Sequence, residues 1–95
     1  MAYYVKYALD GEYSTLEFDL GLNSEYKSAE QEFWVEIYDE NGLIFETAHL
    51  GAGDRPEHYT VDISGVNDLA IQAWKSGQEL KGEGPLLTNG FWVSK

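Results

Sequence analysis

An all-β fold, a two-sheet antiparallel β-sandwich, is what this sequence predicts, and three observations predict it. Apolar and polar residues alternate with period two in several short runs, turn-forming residues recur about every ten positions, and no run carries an apolar stripe at helical spacing. Aromatic residues make up 15% of the 95 and glycines number ten, a composition suited to short pleated strands joined by tight turns. A chain of this length fits one domain, residues 1–95, with a real but modest core.

The elements follow in order. The chain opens inside an aromatic, strand-like run at Tyr3-Tyr4-Val5. Leu16, Phe18 and Leu20 then alternate with Glu17 and Asp19, giving a strand with one dry and one wet face that is expected to end at Gly21. The polar stretch from Asn23 to Glu32 has room for a short helical turn at 24–31. Phe33, Val35 and Ile37 alternate with Trp34, Glu36 and Tyr38, the clearest strand of all. It runs into Asp39-Glu40-Asn41-Gly42, where Asn-Gly is expected to take the positive φ values of a tight hairpin turn, and returns as Leu43 to Thr47. Gly51 to Pro56 reads as a surface loop. Tyr59, Val61 and Ile63 resume the alternation, Ser64 to Asp68 turns the chain, and Leu69, Ile71 and Ala73 alternate with Ala70, Gln72 and Trp74. Lys75 to Pro85 reads as a long loop before a last strand near Phe91 to Val93. The abrupt start and end suggest a module excised from a longer protein.

Charge and residue types exclude several functions. Seventeen acidic residues against six basic ones give a formal charge of −11, which repels a polyanionic backbone, so nucleic acid is not an expected partner. The acidity is read as serving solubility. Without cysteine there is neither a disulfide framework nor a thiolate nucleophile. No apolar run reaches the roughly 18 to 20 residues that cross a bilayer as a helix, so no membrane insertion is expected. The first residues lack the basic start and long apolar stretch of a signal peptide. His49 and His58 flank the Gly51–Pro56 loop but fall in no metal-ligand motif, and they read as surface or strand-end residues. Among seventeen acids no pair stands out as a glycosidase couple, and no nucleophile-elbow or phosphate-loop string is present, so no enzymatic activity is expected.

Binding has better candidates. Trp34, Tyr38, Trp74 and Trp92 lie on the wet phase of their strands or at strand ends, where an indole or phenol can stack on the C–H face of a sugar ring. The order Tyr13-Ser14-Thr15-Leu16, Gly21-Leu22-Asn23 and Phe33 to Gly42, followed by Leu43-Ile44-Phe45-Glu46-Thr47 and by Val61-Asp62-Ile63-Ser64-Gly65-Val66 with Leu69-Ala70-Ile71, resembles an NPCBM domain, the "novel putative carbohydrate-binding module" family, over about 80 residues.

That resemblance implies a galactose-binding-domain-like jelly roll. It also implies an extracellular or cell-surface accessory module of a larger bacterial protein, with glycans containing galactose or N-acetylgalactosamine as ligands and neighbouring protein domains as further partners. The family tends to close with a pattern like D-H-A-D-W, whereas this chain has Thr88-Asn89-Gly90-Phe91-Trp92, which keeps the tryptophan and replaces both acids. The site expected on this basis gathers Trp92, Asn89, Trp74, Arg55 and His49 around a shallow polar groove. Such jelly rolls often fix a loop with a structural calcium, for which Asp10, Glu12 and Asp54 are the available carboxylates. The competing reading is a structural or protein-interaction module that uses Trp34 and Tyr38 as its contact patch.

Overall fold

The computed structural model describes residues 4–22, 32–51, 54–76, 78–79 and 86–95. Eight strands follow one another: β1 (Tyr4–Ala8), β2 (Thr15–Leu22), β3 (Phe33–Asp39), β4 (Gly42–Glu46), β5 (Glu57–Asp62), β6 (Asp68–Lys75), β7 (Gln78–Glu79) and β8 (Leu86–Ser94). They form two antiparallel sheets, one of five strands in the order β1-β6-β3-β4 with β7 also paired to β6, the other of three in the order β5-β2-β8. The sandwich read from the alternation is present, and the short helical turn expected at 24–31 lies outside the described residues.

The alternation sorts the side chains as anticipated. Leu16, Phe18 and Leu20 of β2 face Phe33, Val35 and Ile37 of β3 and Leu69, Ile71 and Ala73 of β6 across a core that Val61, Ile63, Leu9, Leu50 and Val66 complete. Each fully buried large side chain there contributes about 1.5–3 kcal/mol by leaving water. Thr47 is the one buried polar side chain among the described residues. Its Oγ1 accepts the Val35 N–H at 2.9 Å and donates to the Ala48 carbonyl, while its own N–H donates to the Val35 carbonyl. The hydroxyl thus continues the β3–β4 ladder past the end of β4. Thr47→Val keeps the shape but leaves the Val35 N–H buried and unpaired; we expect it to lower unfolding free energy by about 1–3 kcal/mol, read from the midpoint of urea denaturation.

Three boundaries differ from the sequence reading. β2 does not end at Gly21 but runs through it to Leu22. A Cβ on Gly21 would stand 3.0 Å from the Pro56 ring, so glycine here lets the loop before β5 pack against the strand. In the β3–β4 hairpin Asn41 keeps a negative φ. Gly42 alone takes a positive value, 131°, while the Asp39 carboxylate accepts the Asn41 N–H at 2.7 Å and shapes the turn. The register then slips by one residue between Ile37 and Tyr38, a β-bulge that absorbs the odd turn geometry. The last strand is nine residues long rather than three, and the long loop expected before it carries the short strand β7. A bulge in β8 hides its first half from a period-two reading: Phe18 pairs with Phe91 and Leu20 with Thr88, so Asn89 and Gly90 together oppose Asp19.

Strand directions place the loops. The β3–β4 turn and the 63–67 turn lie at one end of the sandwich, where Glu40 accepts the N–H groups of Asn67 and Asp68, both at 3.2 Å. Its own backbone N–H and that of Asp68 hold the Glu40 carboxyl below the usual carboxylate range. Residues 47–51 and 54–56, the ends of β2 and β6 and the beginning of β8 lie at the other end.

Candidate functional site

On the outer face of the five-stranded sheet, β3 presents Trp34, Glu36 and Tyr38 and β6 presents Gln72 and Trp74, with Trp34 directly opposite Trp74. Glu36 binds both neighbours on its own strand: the Trp34 indole N–H donates to Oε2 at 2.9 Å, and the Tyr38 hydroxyl donates to Oε1. Burial and this carboxylate push the Tyr38 phenol up to about 12. The Trp74 indole N–H lies near the Tyr38 oxygen, close enough to oppose that rise, yet it is buried without a hydrogen bond of full geometry. His49 stacks flat on Trp34, ring centroids 4.0 Å apart and planes within 8°, and is anchored by Glu46 at 2.8 Å. One indole face of Trp34 is therefore closed.

The outer face of the three-stranded sheet is arranged differently. Trp92 of β8 stands opposite Glu17 of β2, with Phe91 and Val93 turned toward the core on either side. Asp19 and Glu17 of β2 face His58 and Thr60 of β5. The imidazole of His58 bridges the two carboxylates, Nδ1 to Asp19 at 2.7 Å and Nε2 to Glu17 at 3.3 Å. Its ring lies 6.3 Å from the Trp92 ring and tilted by 41°, so it flanks the indole without covering it. Trp92 stays 43% exposed, the most open tryptophan of the three.

Those two carboxylates, Asp19 first and Glu17 second, raise the His58 pKa above its ordinary 6.5. The contribution is present in full below about 6.5, where unfolded and folded forms are both protonated, and it fades as pH rises through the higher folded value. Accordingly, melting temperatures of the wild type and His58→Gln should differ most on the acid side and converge at alkaline pH. A gap that widens with rising pH would show that the bridge does not act through the imidazolium.

The structure separates the five residues expected to form one groove. Trp74 and His49 belong to the Trp34 cluster on the five-stranded sheet; Trp92 lies on the opposite outer face. Arg55 is exposed on the loop before β5, beside the Pro56 that packs on Gly21. The backbone of Asn89 sits in the β8 bulge, and its side chain lies outside the described residues. Glu17, Asp19 and His58, the polar groups beside Trp92, are not among the residues the sequence points to. Alternation put Glu17 and Asp19 on the wet face of β2, but only the pairing of β2 with both β5 and β8 brings them to Trp92.

The three calcium candidates do not share a coordination sphere. Asp10 and Glu12 lie in the turn before β2, whereas Asp54 stands near the far end of that strand, where its carboxylate accepts the Gly51 N–H at 2.8 Å. Among the described residues no three His, Cys, Asp or Glu side chains gather in a way that would hold a metal ion.

The sequence matches the model of the NPCBM/NEW2 domain over residues 2–84. The chain belongs to the NPCBM/NEW2 domain family. The matched span stops before β8, so the closing pattern around Trp92 lies beyond it. No curated protein matches this NPCBM/NEW2 domain. Among solved structures it is similar to that described as "The structure of CBM51 from Clostridium perfringens GH95 in complex with methyl-galactose", with a TM-score of 0.60 and 20% sequence identity over 86% of this chain. The alignment spans 55% of that chain's length. The fold is thus the expected galactose-binding-domain-like sandwich, and the family is one of carbohydrate-binding modules.

Proposed function

We propose that this NPCBM/NEW2 domain is a non-catalytic module that binds galactose-type glycans against Trp92 and so tethers a larger extracellular or surface protein to them. The single observation that carries this reading is the open indole of Trp92 beside the Glu17–His58–Asp19 bridge. An exposed indole offers a flat apolar platform for the C–H face of a pyranose. The carboxylate oxygens accept hydrogen bonds from sugar hydroxyls, and the imidazole N–H groups share those carboxylates. Glu17 and Asp19 are acids on the adjacent strand, and they stand in for the two that Thr88 and Phe91 replace in the closing motif. A carbohydrate ligand is supported by the family, and galactose as its unit by the methyl-galactose in the similar CBM51 structure.

Titration of the folded module with methyl galactoside and with N-acetylgalactosamine, followed by tryptophan fluorescence and by a glycan array, tests the proposal. Saturable binding with a dissociation constant between tens of micromolar and millimolar, ~4 to 6 kcal/mol, is expected. Silence from both experiments would remove the lectin reading.

The interaction-module reading draws less support from Trp34 and Tyr38 than from β4. The first two are half-buried and already engaged by His49 and Glu36. On the edge strand β4, Leu43 and Ile44 are 53% and 36% exposed, a surface another chain can cover. Self-association in sedimentation without any sugar response would favour it.

A further inference from the structure

A concavity lies on the outer face of the five-stranded sheet, beginning at Tyr38 of the Trp34–Glu36–Tyr38 row and running toward the end that carries the β3–β4 turn. Its origin is one register row. Lys6 of β1, Ala70 of β6 and Tyr38 of β3 stand side by side across three strands. A methyl group between two long side chains leaves a trough, and Gln72 and Glu36 form the next outward row along it. Asp39 and Asp68 close its end, where Glu40 clamps the hairpin to the 67–68 backbone. The cavity measures about 790 Å³, within the range of clefts that hold small ligands.

The lining decides the class of ligand. Tyr38 supplies an aromatic wall whose hydroxyl is held by Glu36, so its ring is fixed in place. Gln72 offers an amide that both donates and accepts, and Asp39 and Asp68 offer acceptors. Carboxylates outnumber the single ammonium of Lys6, which disfavours uronic and sialic acids. A wide apolar ligand is poorly served by so polar a rim.

We propose that the trough over Ala70 is a second saccharide site, one that takes a short neutral oligosaccharide on the sheet face opposite Trp92. This rests on the carbohydrate reading of the module but uses none of the residues assigned to the Trp92 face.

The test is a ¹H–¹⁵N NMR titration with lactose and with methyl galactoside, performed on the wild type, Ala70→Leu and Trp92→Ala. Ala70→Leu fills the trough from an outward-facing position and should keep a dispersed, folded spectrum; Gln72→Ala serves as a second variant that removes a polar contact without adding bulk. In the wild type, amides of Lys6, Ala70 and Gln72 should shift as one saturating set and those of Glu17 and His58 as another. Ala70→Leu should weaken the first set at least about tenfold and spare the second, with Trp92→Ala doing the reverse. Shifts confined to the Trp92 face would overturn the second site and leave the proposed function standing. Absence of both sets would overturn both proposals. Shifts in the trough produced by oligolysine but by no sugar would also reject the saccharide assignment.

Discussion

Phe18→Ala should unfold a large fraction of this module or leave it barely stable. Phe18 is fully buried at the centre of the middle strand of the three-stranded sheet. It is paired in register with Tyr59 on β5 and Phe91 on β8, and the rings meet at 5.3 and 5.0 Å. Removing the central ring of this row forfeits its transfer from water and opens a cavity that two flanking strands cannot close without losing their own pairing. The usual cost of such a truncation is about 3–5 kcal/mol. A domain of this size holds roughly 5–14 kcal/mol in total, by the common scale of 0.05–0.15 kcal/mol per residue. Urea denaturation should show a much lower midpoint, and Phe18→Leu, which restores most of the volume, should recover part of the loss. A Phe18→Ala protein within 1 kcal/mol of wild type would mean that the three-ring row is not what holds the two sheets together.

Trp92→Ala should abolish measurable binding of galactosides at the Trp92 face while leaving the fold intact. The two halves of that expectation come from the same number. A residue 43% exposed is covered over the rest of its surface but lies outside the buried core, so truncation should lower stability by about 1 kcal/mol and leave the module folded. The same openness makes the indole a platform for the apolar face of a sugar. Losing even 1.4 kcal/mol of stacking weakens binding tenfold, which moves a millimolar ligand beyond detection. Trp92→Phe should retain a fraction of the affinity. The contrasting variant is Trp74→Ala: its indole is partly buried against the Trp34 cluster, so it should destabilise the module and spare binding at Trp92. If Trp74→Ala abolishes binding in a folded protein and Trp92→Ala does not, the sugar platform lies on the other sheet.

The fold was largely legible because β2, β3 and β6 each bury one phase of a clean alternation, and period two is a local property of sequence. Phe33-Val35-Ile37 and Leu69-Ile71-Ala73 could be assigned to the core without knowledge of their partners. What escaped reading depends on contacts between distant segments. Gly21 looks like a strand end until Pro56 is seen against it. Leu86 to Gly90 does not alternate because a bulge spends two residues where its partner spends one. The site was legible only in pieces for the same reason. The exposed tryptophan at 92 was identified from its position, but its polar neighbours come from β2 and β5, more than 30 residues away in the chain. Trp74 and Trp92 seemed able to share a groove because nothing in a one-dimensional pattern says that their strands belong to different sheets.

The placement of β2 between β5 and β8 also sets the order in which the molecule can be assembled. Thr15 pairs with Ser94, so the middle strand of the smaller sheet finds one of its two partners only in the last described strand of the chain. Among the described elements β3–β4 and β6–β7 are the paired neighbours in sequence, each separated by two residues, and every pairing of β1 and β2 spans much of the sequence. Closing such long loops is entropically slow, which places this sandwich among domains that fold in milliseconds to seconds. During synthesis, Phe18 and the backbone edge of β2 wait uncovered until β8 has left the ribosome, so the interval before β8 emerges is when this module is most exposed to mispairing with other strands.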